Sequence, residues 1–277
     1  MTIDEFIRNA VREDIGDGDH TSDACIPEDA EGRAKMLIKE AGVLAGISIA
    51  EQVFYFIDSS LKVKIHTEDG ARVNPGDVVM TVSGKARSIL KAERLALNCI
   101  QRMSGIATVT REVADTLEGL HTRVLDTRKT TPGIRFLEKL AVKIGGGVNH
   151  RFGLYDMMMI KDNHIDYAGG IRAAIEKAND YRKSNAPKIP LEIEARNLKE
   201  LDEILATGGI DRIMLDNFSY EDLRTAVKRI GGKYETEASG GITKETARAY
   251  AECGVDFLSM GALTHSVKSL DISLKAY

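Results

Sequence analysis

Five cations fall within about 35 residues of this 277-residue chain: Arg128, Lys129, His150, Arg151 and Lys161. Two carboxylates follow at wider spacing, Glu194 and Asp216. Small residues come last, in Ser239-Gly240-Gly241 and Ser259-Met260-Gly261. A cationic wall suits carboxylates or phosphates, because a guanidinium grips either with two parallel hydrogen bonds. Two carboxylates on neighbouring strands suit Mg²⁺, which takes one or two protein carboxylates beside substrate phosphate oxygens. Ser-Gly-Gly ahead of a helix offers backbone N–H groups to a phosphate at the positive end of the helix dipole. Together these features describe a pocket for a phosphorylated substrate, a metal and a second anionic substrate. Each residue alone has a plainer reading, as a solvated loop charge, a salt-bridge partner or a helix start. Five cations together in a chain of net charge −4 favour a built site.

The elements that must position these residues can be read from periodicity. Thr2 and Glu5 make a capping-box pattern, and Ile3, Phe6, Ile7, Ala10 and Val11 form one helical stripe. Asp14 to Asp23 reads as a loop. Ala34, Met36 and Ile38 alternate with polar residues as in a half-buried strand, as do Leu61, Val63 and Ile65. Asn74-Pro75-Gly76-Asp77 is a turn, Val78 to Val82 a strand, and Arg87 to Gln101 a long helix. From about Thr122 short apolar strands alternate with amphipathic helices. The strands are expected near Thr122–Asp126, Met157–Lys161, Leu191–Glu194, Ile213–Asp216, Glu235–Ala238 and Phe257–Met260. Glu194, Asp216, Ala238 and Met260 recur about every 22 residues. Such alternation leaves no room for hairpins and implies parallel strands with right-handed crossovers. A full eight-fold barrel takes roughly 250 residues, more than remain after Thr122. The expected fold is α/β: an N-terminal α+β open-faced sandwich over 1–108, which the C-terminal end could complete, then an incomplete six- or seven-stranded parallel α/β barrel over 109–277. A doubly wound open sheet is the alternative. Ligands sit at the carboxyl ends of the strands in either case, which is where the charged residues fall.

Other classes are excluded. With 43% hydrophobic residues the chain is not disordered. Its apolar runs, such as Met157 to Ile160, fall far short of the roughly 20 residues a membrane helix needs, and no secretory leader is visible. Cys25, Cys99 and Cys253 form neither a disulfide framework nor a zinc spacing, which suits a reducing cytosol. The net negative charge disfavours nucleic acid. Gly84-Lys85 is followed by Ala86, so there is no phosphate loop, and Gly16-Asp17-Gly18 follows a helix and is no dinucleotide fingerprint. His164 is expected to hydrogen-bond locally, and Met157-Met158-Met159 to lie in a core strand.

Asp126-Thr127-Arg128-Lys129-Thr130-Thr131-Pro132-Gly133, Gly145 to Arg151 (Gly-Gly-Gly-Val-Asn-His-Arg) and Ile160-Lys161-Asp162-Asn163-His164 closely resemble the quinolinate phosphoribosyltransferase family. So do Glu13 to Thr21, Glu93 to Thr108, Leu215-Asp216-Asn217-Phe218, Glu237 to Ile242 and Ser259 to Thr264. The resemblance covers nearly the whole chain. It departs at Leu140, where an aromatic is expected, and at Met159, where Leu is usual; neither touches the charged set. It implies that quinolinate and 5-phosphoribosyl pyrophosphate give nicotinate mononucleotide, pyrophosphate and CO₂, with Mg²⁺. It implies quinolinate contacts from Arg128, His150, Arg151 and Lys161, with Arg102 reaching into the neighbouring subunit of a homodimer that could assemble into a hexamer. It places Lys129, Glu194, Asp216, Ser239, Gly240, Gly241, Ser259, Met260 and Gly261 at phosphoribosyl pyrophosphate and the metal. Thr127 and His265 are secondary contacts. Lys129, Lys161, Glu194 and Asp216 are the catalytic candidates; Glu194 and Asp216 would hold Mg²⁺ directly or through water. The implied location is cytoplasmic. Three rivals stand beside this reading: a molybdenum-transport-associated paralogue, an aldolase-like barrel using Lys161 as an imine-forming amine, and a non-catalytic anion-binding barrel.

Overall fold

A computed structural model describes residues 2–277. In chain order the N-terminal elements are α1 (Ile3–Ile15), α2 (His20–Cys25), β1 (Glu31–Ile38), β2 (Gly42–Val43), α3 (Ile47–Ile57), β3 (Lys62–Ile65), β4 (Arg72–Val73), β5 (Val78–Lys85) and α4 (Ala86–Thr116). There follow β6 (Arg123–Leu125), α5 (Arg135–Ile144), β7 (Met158–Ile160), α6 (Asp162–Ala168), α7 (Ile171–Asn185), β8 (Leu191–Ala195) and α8 (Leu198–Thr207). The chain ends with β9 (Arg212–Asp216), α9 (Tyr220–Ile230), β10 (Glu235–Ser239), α10 (Lys244–Ala251), β11 (Phe257–Ser259), α11 (Ala262–His265) and β12 (Ile272–Ala276). Contacts divide it into two compact units. One comprises the chain up to Arg111, Thr130–Gly146 and Leu263–Tyr277; the other comprises Glu112–Lys129 and Gly147–Ala262. The sequence reading drew its boundary at 108/109, inside α4, and gave 130–146 to the barrel.

The first unit is built on an antiparallel sheet in the order β12-β1-β5-β3. Alternation explains it: Ala34, Met36 and Ile38 point into a core shared with Val53 and Phe54 of α3 and Ala92 and Ala96 of α4. The expected capping box closes the start of α1, with the Thr2 hydroxyl accepting from the Glu5 amide. Helix α4 runs well past the predicted end at Gln101. Its second half contains Gly105, Thr108 and Thr110, which are weak helix formers. Burial overrides that weakness, with Met103, Ile106 and Ala107 fully covered. Thr108 and Thr110 bond back to the carbonyls of Ser104 and Ile106. A β-carbon on Gly105 would overlap the Lys268 carbonyl, so close approach explains the glycine.

The second unit holds the parallel sheet, ordered β6-β11-β10-β9-β8-β7. From β7 to β11 the strands pair in chain order, and β6 closes on β11. The order never reverses direction, as it would at the switch point of a doubly wound sheet. This is the incomplete six-stranded barrel expected from the sequence. A single parallel bridge, Leu125 to Val148, lies beyond β6. Register levels the strand ends: Ser239 is opposite Asp216, Ala195 opposite Leu215, and Ser259 opposite Leu125.

Candidate active site

Levelled strands bring the carboxyl-terminal residues of the second unit to one rim. Thr127, Arg128 and Lys129 follow β6, and the Lys129 amide donates to the Thr127 hydroxyl at 3.0 Å. Lys161 follows β7, and its ammonium lies 3.5 Å from Glu194 at the end of β8. Burial pushes the Glu194 carboxyl up; Lys161 pulls it down, and the negative charge of Asp216 pushes it up again. The two acids are therefore close enough to repel. Arg151 is held below the usual arginine range, first by burial and then by the positive charge of Arg128. Glu192 and Asp156 offset part of that lowering; two guanidinium charges close enough to repel suit an anionic ligand. Arg151 also donates to the Met157 carbonyl at 3.3 Å.

The glycine-rich ends have their own geometry. Gly240 and Gly241 both have positive φ, 103° and 60°, a turn that glycine adopts without steric cost. Ser259 and Met260 are buried at the end of β11, and the Met260 amide bonds to the Leu125 carbonyl.

His150, expected to contact quinolinate, is 8% exposed, and both ring nitrogens face groups of the chain itself. Nδ1 accepts the Arg151 amide at 2.7 Å. Nε2 faces Glu192 at 2.9 Å and Glu237 at 3.4 Å. Burial alone would lower its pKa, but those two carboxylates outweigh it and push the value up to about 9. The Arg151 amide at Nδ1 acts the other way, against a second ring proton. Asp126, fully buried, accepts from the His150 amide at 2.8 Å and from the Asn149 side chain at 2.6 Å. Glu237 is also 3.4 Å from Arg212, whose guanidinium lies 4.3 Å over the Phe257 ring. His150, Glu192 and Glu237 have the residue types and spacing of a metal site. Arg212, 3.4 Å from Glu237, already brings positive charge there.

The sequence reading gave no role to Asp126, Glu192, Arg212 or Glu237. A signal existed for the acids: side chains two apart in a strand share a face. If Glu194 and Ser239 face the barrel interior, so do Glu192 and Glu237, one step deeper. His164 accepts the Lys161 amide at 3.0 Å, as expected of a local hydrogen bond.

Arg102 and His265 lie in the first unit. Arg102 donates twice to the fully buried Glu138, at 3.0 and 2.8 Å, and to the carbonyls of Val267 and Thr264. Glu138 also accepts from the amide and the hydroxyl of Thr131, each at 2.9 Å. His265 is exposed, with Nδ1 2.6 Å from the Ser266 hydroxyl.

A parallel barrel with neighbouring guanidiniums, an acidic pair and a glycine turn at its strand ends fits an enzyme class that handles anionic, phosphorylated substrates. Comparison with known proteins is consistent with that class. Residues 19–104 match the N-terminal domain of quinolinate phosphoribosyl transferase, and residues 106–275 match its C-terminal domain. The chain belongs to the quinolinate phosphoribosyltransferase family. It is 46% identical over 288 residues to a decarboxylating quinolinate phosphoribosyltransferase (2b, mitochondrial) of Nicotiana tabacum, covering 99% of this chain and 82% of that one. It is 43% identical over 274 residues to a probable carboxylating nicotinate-nucleotide pyrophosphorylase of Bacillus subtilis, covering 99% and 93%. The NadC structure from Streptococcus pyogenes superposes with a TM-score of 0.93 at 40% identity, covering 99% of this chain and 95% of that one.

Proposed function

We propose that this chain transfers the phosphoribosyl group of 5-phosphoribosyl pyrophosphate to quinolinate with loss of CO₂, giving nicotinate mononucleotide and pyrophosphate for NAD biosynthesis. The observation that carries the reading is the closeness of the Arg128 and Arg151 charges, to which Lys161 at the end of β7 adds a third cation. Three cations there match a ring bearing two adjacent carboxylates. Lys129, Ser239, Gly240, Gly241, Ser259, Met260 and Gly261 take the phosphoribosyl pyrophosphate, with Thr127 as a secondary contact. His150 enters behind Arg151.

Glu194 and Asp216 fit Mg²⁺: they are acidic oxygens on adjacent strands, and Glu194 is raised partly because Asp216 lies near it. Bound there, the ion would neutralise charge on the departing pyrophosphate. Lys129 adds positive charge at the same leaving group. Arg128, Arg151 and Lys161 orient the pyridine ring so that its nitrogen attacks the ribose carbon as the bond to pyrophosphate breaks. The nitrogen becomes cationic. The bond to the adjacent carboxylate then breaks, leaving its electron pair on the ring carbon, which takes a proton. No covalent protein nucleophile is needed, so Lys161 serves as a cation and not as an imine former.

A homodimer is part of the proposal, with Arg102 contributing to the neighbouring site. Its four hydrogen bonds within the chain leave one of a guanidinium's five N–H groups for a substrate carboxylate. Three free thiols suit a cytoplasmic location. Among the described residues no helix is long and apolar enough to cross a membrane.

The test is an assay with phosphoribosyl pyrophosphate, Mg²⁺ and either quinolinate or nicotinate, following CO₂ and nicotinate mononucleotide. Product from quinolinate alone supports the reading. No product in either tube sinks it.

A further inference from the structure

We propose that Glu192 and Glu237, deep in the barrel and out of reach of substrate, are positioning residues that set the quinolinate-binding guanidinium of Arg151 through His150. The inference rests on the function proposed above. The path is a continuous set of contacts within the second unit. Glu192 and Glu237 are both fully buried and both face His150 Nε2, at 2.9 and 3.4 Å. The opposite ring nitrogen accepts the amide of Arg151 at 2.7 Å. The imidazole is thus a strut between the barrel core and the peptide from which the Arg151 side chain departs. Asp126 holds the other side of that peptide segment by accepting the His150 amide.

The cost of the arrangement argues for its use. Two carboxylates in a closed interior are expensive unless paired. Apolar residues of similar volume would stabilise such a core at least as well. Glu237 does have Arg212 at 3.4 Å, and Arg212 in turn holds Glu235 at 2.7 Å. Glu192 feels the Arg212 charge from farther off, and among the described residues its ion-pair contact is His150. Glu192 is therefore the member whose removal loosens His150 most. A bidentate carboxylate grip needs its guanidinium placed to within a few tenths of an ångström, so a tilted ring should be felt at Arg151 before it is felt elsewhere on the rim.

The experiment uses the full-length enzyme with Glu192→Gln, Glu237→Gln and His150→Asn, each checked for folding by thermal melting. Steady-state KM is measured for quinolinate and for phosphoribosyl pyrophosphate separately. Direct titration with benzene-1,2-dicarboxylate, which has the two carboxylates without the reacting nitrogen, reads the site without turnover. The expected result for Glu192→Gln is a rise of about tenfold or more in quinolinate KM and in the analogue's Kd. The KM for phosphoribosyl pyrophosphate should stay within about twofold. Unchanged quinolinate parameters in folded variants overturn the inference. So does equal loss toward both substrates, or failure of all three variants to fold, because either assigns the network to stability alone. An inactive parent enzyme would instead strike the proposed function.

Discussion

Asn217 is the single non-glycine residue with positive φ among the described residues, at 56°, and a β-carbon on Gly240 would overlap its side-chain oxygen. The amide of Asn217 donates to the Asp216 carboxylate at 2.6 Å, and its backbone N–H bonds to the Ser239 carbonyl. One left-handed residue therefore ties the end of β9 to the turn after β10. Strained backbone of this kind clusters at functional sites.

Gly240→Ala should destabilise the fold by about 1–3 kcal/mol, since the new methyl meets Asn217 and the φ of 103° disfavours any side chain. Gly241→Ala has open space around it and only the φ of 60° to contend with, so about 1 kcal/mol is expected. Thermal melting ranks the two. The Gly240 variant should also raise KM for phosphoribosyl pyrophosphate. Equal melting losses would show that the Asn217 contact is unimportant.

Arg128→Ala and Arg151→Ala should each lose charge-assisted hydrogen bonds worth about 1.5–3 kcal/mol. That is about a 10- to 150-fold loss in kcat/KM. The effect should fall on quinolinate more than on phosphoribosyl pyrophosphate. An unchanged kcat/KM would remove that arginine from the site.

Arg102→Ala should cost about 3–5 kcal/mol, because it leaves the fully buried Glu138 without its guanidinium. Arg102→Lys should recover only part of that, since an ammonium cannot reproduce the two-pronged contact. If the dimer shares its sites, mixing impaired Arg102→Lys and Arg128→Ala subunits should raise activity above that of either variant alone. No recovery on mixing would count against a shared site.

The His150 pKa of about 9 in the fold lies above its ordinary value of 6.5. A raised pKa means that the folded state holds the proton more tightly. The stabilisation is then full below about pH 6.5 and is lost as pH rises through 9. Denaturant midpoints should therefore fall between pH 6.5 and 9.5, and the fall should flatten in His150→Asn. A midpoint that is level across this range, or a fall of equal size in the variant, would contradict the assignment.

The strand ends were legible because parallel strands follow simple grammar: a short apolar run, a functional residue, then an amphipathic helix. Glu194 and Asp216 could be placed on neighbouring strands from their spacing alone, and the structure pairs β8 with β9. The end of α4 was less legible, because Gly105, Thr108 and Thr110 are weak helix formers whose helical state is set by burial.

The inventory of the rim and its order can be read along the chain: cations first, acids next, glycines last. That much follows from local periodicity, which needs no knowledge of distant contacts. Which charges face outward depends on contacts between residues far apart in the chain. His150 looked like another cation of the set. Its ring is turned inward because Glu192 and Glu237, on two other strands, converge on one nitrogen while the Arg151 amide takes the other. Burying a charge is tolerable only where partners converge, and residues so far apart in the chain converge because β8 and β10 lie in one parallel sheet.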